Sequence, residues 1–320
     1  MNLPRPAIAY LIFNRPDLMQ QTFAAIRAQK PERFFVIADG PRPDHPTDNQ
    51  KCNEARQIVD HIDWPCEVRR NYAERNLGLK KRVTSGLDWV FEQVEQAIIM
   101  EDDCLPHPDF FVFCQTLLER YANDQRVWVI TGNNFQDGKK RGNASYYFSK
   151  YNHCWGWATW RRAWIKNDPQ LSFWPEWKES QIWISSMPDK IERRYWSNIF
   201  DQMYRNEINT WGYPWTASVW YHGGLTATPN VNLVKNIGFG PDATHTIAES
   251  DQDGQTVYPL GPTTHPEDVV QDKKADRYVF DHNFGGLEQR LHRRLLRLPR
   301  RIAGKIFRTF SNRRVSHPVD

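Results

Sequence analysis

The chain opens on a run of apolar positions, residues 6–13, that is broken by the polar turn Asn14-Arg15-Pro16. An uninterrupted apolar run of this length, bounded by turn residues, predicts a buried strand. The three-and-four spacing that follows predicts a helix through Ala28. The same pair of signals then repeats. Residues 33–38 read as a second strand stopped by Asp39-Gly40-Pro41, with a helix over 49–62 behind it. Residues 66–70 read as a short third strand followed by a helix over 80–94, and 97–100 as a fourth strand that runs into Glu101-Asp102-Asp103. A helix opened by Pro106 and Pro108 extends through Tyr121, and 127–131 is a further strand. Strands alternating with helices across short connections predict βαβ units and an α/β fold, a mostly parallel sheet flanked by helices. Ligands of such sheets sit beyond the carboxyl ends of the strands. The three special turns, at Asn14-Arg15, Asp39-Gly40 and Glu101-Asp102-Asp103, are therefore expected at one crevice.

After Thr131 the pattern becomes irregular. A helix is expected over 189–206, with short strands at 216–221 and 225–227. Residues 247–285 are polar and loop-like, with a turn at Asp251-Gln252-Asp253-Gly254. Periodicity returns at the end, where Leu287, Leu291, Leu295, Leu298, Ile302, Ile306 and Phe310 recur at helical spacing. These shifts divide the chain into a domain over 1–246, itself made of halves 1–131 and 132–246, a loop-rich connector over 247–286, and an amphipathic tail over 287–314.

Charge changes the reading of that tail. Between Leu287 and Arg314 ten basic residues stand against Glu288 alone, which exceeds the net charge of +4 for all 320 residues and leaves the remainder acidic. A basic helix with one apolar stripe, kinked at Pro299, suits an anionic membrane surface. The acidic remainder offers no basic groove or nucleic-acid motif, so no nucleic-acid partner is expected. No window is long and apolar enough for a membrane-spanning helix. The N-terminus lacks a signal-peptide pattern, and five cysteines form no CxxC pair. A cytoplasmic location is expected, to which the tail adds the cytoplasmic face of a membrane. The 14 tryptophans are an excess that suits either a Trp-rich core or stacking on the apolar faces of sugar rings.

The chemistry concentrates at Glu101-Asp102-Asp103. Carboxylates at the end of a buried strand are costly unless paired or bound to a cation. Hard cations commonly bridge one or two carboxylates to substrate phosphates. A solvated turn capping the next helix would give the same letters. Neither GxGxxG nor GxxxxGK[ST] is present, which counts against dinucleotide and P-loop sites.

The segment IIMEDDCLPHPDFF at 98–111 resembles the metal-site segment of the GT-A glycosyltransferases, N-acetylglucosaminyltransferase I and its relatives among them. AYLIFNRPDL at 9–18, FVIADG at 35–40 and CWGWATWRRAW at 154–164 are similar to that family's first strand, second strand and Gly-Trp loop, in the same order. The chain also looks like bacterial family 2-like glycosyltransferases with NLGLKK and NLVKNIGFGPDATHT segments. The resemblance implies a GT-A (nucleotide-diphospho-sugar transferase) fold with Mn²⁺ or Mg²⁺ as cofactor. It implies a nucleotide-diphospho-sugar donor, with UDP-sugar expected, and a glycan or lipid-linked acceptor. Residue by residue, it makes Asp103 the metal ligand, with His245 a further ligand to metal or diphosphate. Glu101 and Asp102 would hold ribose and donor sugar, Arg15 and Arg82 the phosphates, Asp39 the uracil ring, and Trp155 and Trp157 a sugar face.

An inverting transfer needs a carboxylate to take the acceptor proton. The family's Trp-Asp pair corresponds here to Trp211-Gly212, so the acid is absent at that position. Asp201, which resembles a Phe-Asp pair of the bacterial relatives, is the expected base, with Glu207 the next choice. Two other readings stand beside the transferase: a sugar-1-phosphate nucleotidyltransferase, and a non-catalytic glycan-binding or membrane-associated protein on the same fold.

Overall fold

The structure, a computed structural model, describes residues 5–238 and 256–296. His245, the turn at Asp251–Gly254 and the tail beyond Leu296 lie outside the described residues.

The alternating elements of the first half form as expected. Strands β1 (Ala7–Ile12), β2 (Arg33–Ala38), β3 (Glu67–Tyr72) and β4 (Gln96–Glu101) are linked by helices α1 (Pro16–Gln29), α2 (Asp48–Ile58) and α3 (Leu79–Phe91). Then come β5 (Cys104–Pro106), α4 (Pro108–Arg120), β6 (Val127–Thr131), β7 (Tyr146–Ser149) and β8 (Trp157–Trp160). Four short or medium helices follow: α5 (Arg161–Trp164), α6 (Trp174–Glu179), α7 (Gln181–Ser186) and α8 (Lys190–Tyr204). The last elements are α9 (Gly212–Tyr221), β9 (Leu225–Pro229), β10 (Val234–Asn236), α10 (Lys273–Asn283) and α11 (Gly286–Leu296).

The large sheet has the order β3-β2-β1-β4-β8-β6-β9-β7. Strands β1 to β4 pair in parallel, as do β6 and β9, while β8 and β7 run against their neighbours. Both faces are covered, as the continuous apolar strands require. Along β1 the residues alternate: Ile8, Tyr10 and Ile12 pack with α1, α2 and α4, whereas Ala7, Ala9 and Leu11 pack with α3 and the tryptophan-rich helices. α3 approaches the sheet closely at Gly86, where an added Cβ would lie 2.5 Å from Ile37 Cγ2.

Two expectations fail in the second half. Residues 216–221, expected as a strand, belong to α9. This helix is buried from Pro214 through Trp220, so apolar side chains surround it and no amphipathic stripe marks its period. The connector also contains a helix, α10, which Asp272 caps by accepting from the backbone N–H groups of Lys274 and Ala275. The tryptophan excess is mostly core: apart from Trp89 and Trp155, every tryptophan is buried.

Candidate active site

The strand ends meet at a cleft of about 630 Å³. Its floor is the carboxyl edge of the neighbouring strands β1 and β4. Leaving β1, the chain makes the turn Phe13-Asn14-Arg15 and enters α1 at Pro16, whose missing N–H suits a first helical position. Leaving β4, it presents Glu101 and Asp103 to the cleft. Because β8 runs antiparallel, its amino end lies at the same edge, and this brings in residues 151–155 as a wall. α8, the first turn of α9, and Phe284 after α10 complete the lining, with Trp196 and Phe284 against the ring of Tyr151.

Arg15 organises the floor. It is bonded through Nη1 to Asp103 Oδ2 at 2.9 Å and through Nη2 to Asp102 Oδ1. Asp102 lies beneath the surface, its side chain 3% exposed, and also accepts the N–H of Phe13 at 3.0 Å. Asp103 Oδ1 faces the Cys104 thiol at 3.3 Å. Three carboxylates around one guanidinium leave the floor anionic. Burial, and then the charges of Asp103 and Asp102, push the Glu101 carboxyl up to about 8. Burial likewise pushes Asp102 up to about 6, against the pull of Arg15. Burial opposes the charge on Arg15, but Asp102, Asp103 and Glu101 outweigh it and raise its pKa.

Such a floor suits a divalent cation. Among the described residues no cluster of three or more His, Cys, Asp or Glu side chains is placed to hold a metal unaided. Glu101 and Asp103 on an over-acidic floor instead match a cation bound by one or two carboxylates and completed by a ligand's phosphates.

Of the residues singled out from sequence, the cleft gathers Arg15, Glu101, Asp103 and Trp155, with Asp102 directly below. It does not gather the other described ones. Asp39 is 6% exposed, and its carboxylate is spent on the backbone N–H groups of Gly40, Leu77 and Gly78. It staples the loop that starts α3. Arg82 lines a second cavity of about 500 Å³ with Asn71, Glu74 and Arg75. Its Nη2 donates to the carbonyl and side-chain oxygens of Asn71, and its buried Nε has no partner. Trp157 is fully buried among Trp164, Trp211 and Trp215, and therefore has no sugar-facing surface.

The expected base is also misplaced. Asp201 lies on the side of α8 away from the cleft, where it accepts from Trp174 Nε1 at 2.9 Å and Lys178 Nζ at 2.8 Å. Glu207 pairs with Arg205 at the surface. Gly212 does line the cleft, with only Thr210 Oγ1 reaching 4.0 Å from a Cβ built there.

Sequence reading missed the wall residues 151–153. Tyr151 donates its hydroxyl to the buried Glu192, which Lys150 holds at 2.8 Å. His153 packs on Phe135 and Tyr151, and burial lowers its pKa to about 3, so its ring is neutral. Asn152 is 7% exposed, with both amide atoms unpartnered. The polar run Lys150–His153 just before CWGWATW was the available signal.

No family model matches the chain, and no curated protein matches its sequence. Among solved structures, the chain is similar to a Pyrobaculum calidifontis mannosyltransferase in complex with GDP-Man and Mn²⁺, at 12% identity and a TM-score of 0.33. That likeness covers 49% of this chain and 45% of the mannosyltransferase, so less than half of the latter's length is spanned. The inositol-1-phosphate CTP transferase of T. maritima is similar at 9% identity and a TM-score of 0.38, over 72% of this chain and 86% of that one. A 4-diphosphocytidyl-2C-methyl-D-erythritol synthase from Anaerococcus prevotii is similar at 8% identity and a TM-score of 0.32, over 56% and 79%. Likenesses of this size assign no role to any residue of this chain.

Proposed function

We propose that the chain is a metal-dependent glycosyltransferase that moves a sugar from a nucleotide-diphospho-sugar to a hydroxyl of a glycan or lipid-linked glycan. The observation that carries this reading is the anionic floor, with Glu101 and Asp103 presented at adjacent strand ends and Arg15 fixed between Asp102 and Asp103. Glu101 and Asp103 would hold Mn²⁺ or Mg²⁺, which neutralises the charge that gathers on a departing diphosphate. Arg15 supplies fixed positive charge at the same place, and Arg82 supplies it at the second cavity. Trp155 offers a partly exposed ring beside the floor for a sugar face. In the transfer, the acceptor oxygen bonds to the anomeric carbon as the bond to the diphosphate oxygen breaks. The bond's electron pair leaves with the diphosphate, and the acceptor proton goes to a base. Among the described lining residues outside the strand-end triplet there is no carboxylate, and His153 is the one titratable nitrogen.

Two alternatives are separable. A nucleotidyltransferase needs room for a nucleoside triphosphate after the first strand, whereas three residues, Phe13 to Arg15, join β1 to α1. A glycan-binding protein without catalysis is favoured by the absence of an acid at Gly212. The deciding experiment measures binding and hydrolysis of UDP- and GDP-sugars with and without Mn²⁺. One donor is expected to bind only with the metal, and Asp103→Ala is expected to weaken it about 100-fold, or ~2.7 kcal/mol. Turnover of UTP with a sugar phosphate would instead support the nucleotidyltransferase. No nucleotide binding under any condition overturns both enzyme readings. The basic stripe that begins in α11 is the proposed contact with an anionic membrane surface.

A further inference from the structure

Arg15 is the one lysine or arginine among the described residues that line the cleft, and it faces three carboxylates. Its guanidinium bridges two of them rather than gripping one: Nη1 donates to Asp103 Oδ2 at 2.9 Å and Nη2 to Asp102 Oδ1. Those two carboxylates are placed differently. The Asp102 side chain is 3% exposed and keeps a second donor, the Phe13 N–H, whereas that of Asp103 is 13% exposed and lines the cleft. The other oxygen of Asp103 meets the Cys104 thiol, a weak donor. No hydrogen bond among the described residues reaches the Glu101 carboxylate.

A divalent cation on Glu101 and Asp103 therefore meets Arg15 at the same carboxylate. One Asp103 oxygen is taken by a guanidinium and the other by a thiol, so direct coordination displaces one of these donors. Only the guanidinium carries a charge that the cation repels. The backbone beneath Arg15 does not have to move for this. Asn14 Nδ2 donates to Oδ1 of the buried Asp48 at 2.8 Å, Asp48 also takes Arg42 Nε at 2.7 Å, and the Arg15 carbonyl accepts the Met19 N–H at 3.1 Å. On this braced turn the side chain can release Asp103 by rotation while Nη2 stays on Asp102.

We propose that Arg15 exchanges with a divalent cation on Asp103: its guanidinium neutralises that carboxylate until a cation takes it, then keeps Asp102 and turns Nη1 to a phosphate oxygen of the donor. The exchange deepens the transferase reading by giving it an order, in which the cation arrives no later than the donor, and it rests on that reading for the phosphate alone. Arg15 thereby acts in opposite directions on two ligands. It competes with the bare cation and assists the nucleotide. A residue that merely supports the fold would move both affinities the same way.

The test strips the full chain of metal with a chelator and titrates it by calorimetry, first with Mn²⁺ alone and then with UDP- and GDP-sugars at saturating Mn²⁺. Wild type, Arg15→Gln and Arg15→Lys are compared, with thermal unfolding of each measured with and without Mn²⁺. Arg15→Gln is expected to bind Mn²⁺ alone about tenfold more tightly than wild type, and to gain more in thermal midpoint when Mn²⁺ is added. The same variant is expected to bind the nucleotide-sugar about tenfold more weakly. Arg15→Lys keeps the charge but lacks the fork that bridges two carboxylates, and its Mn²⁺ affinity is expected between the other two. Adding Asp103→Ala to Arg15→Gln is expected to abolish the gain. Unchanged or weaker Mn²⁺ binding in Arg15→Gln overturns the proposal, and so does a gain that survives Asp103→Ala. A nucleotide-sugar that binds Arg15→Gln as tightly as wild type overturns it as well. The Mn²⁺ titrations are read apart from the nucleotide: a gain in Arg15→Gln with no nucleotide-sugar bound by any form upholds the exchange on Asp103 and removes the transferase.

Discussion

The backbone of Gly238 lies against the floor of the cleft: an added Cβ would sit 2.4 Å from Asp103 Oδ2 and 3.0 Å from Arg15 Nη1. No side chain fits there unless one of those two groups moves. Gly238→Ala is therefore expected to lower Mn²⁺-dependent nucleotide affinity about tenfold while shifting the thermal midpoint by only a few degrees, read by calorimetry and by unfolding. An unchanged affinity would mean that the carboxylate does not need its present position. The same scale shows why site residues were unevenly legible. Arg15 and the acidic triplet could be read because strand ends are marked by polar turns. Asp39 carries an identical mark, yet its oxygens are taken by the N–H groups of Gly40, Leu77 and Gly78. Sequence letters record that a carboxylate is present, not which donors reach it first.

Among the elements, α10 was invisible because its buried apolar residues, Ala275, Val279 and Phe280, are few within a polar stretch. Tertiary contact holds it instead. Asp276, 3% exposed, accepts from Ser149 Oγ, the Lys150 N–H and Gln271 Nε2, and so fastens the helix to the edge strand β7. Burial raises its carboxyl to about 6, against the pull of Lys150. The native state consequently holds a proton that the unfolded chain releases near pH 4, so stability falls as pH rises from about 4 through about 6. The span is worth up to about 3 kcal/mol. Unfolding measured at pH 4 to 7 is expected to show this slope in the wild type and a shallower one in Asp276→Asn, where the raised carboxyls of Glu101 and Asp102 still contribute. Parallel slopes would remove Asp276 from the account. α9 failed for the opposite reason: burial on every side erases the period by which a helix is recognised.

For the whole molecule, the sheet's first half was readable because each βαβ unit pairs near itself in sequence. The second half was not, because β7 pairs with β9 and β8 enters between β4 and β6. Those pairings join strands distant in the chain, and a short window reads their residues only as apolar. The tail divides similarly. Arg290 turns inward to Asp189 and Asp281, whereas Leu287 and Leu291 are about half exposed. Vesicles with anionic headgroups are expected to bind the full chain, neutral vesicles not. Arg300→Glu with Arg301→Glu should weaken that binding, each basic residue at the surface being worth about 1 kcal/mol. Binding that ignores charge and salt would exclude the electrostatic contact.

The short pairing of β10 with β5, together with the bond from Ile237 N–H to the Asp103 carbonyl, joins positions far apart in the chain. During synthesis, β1 to β4 can assemble through local crossovers well before that late segment leaves the ribosome. The nascent chain then has its acidic triplet but no cleft around it. An unfinished copy cut short before Val234 would keep the wall, α8 and α9 but lose Asn236, Gly238 and Phe284 from the lining, so its acidic floor would stand more open to water than in complete copies.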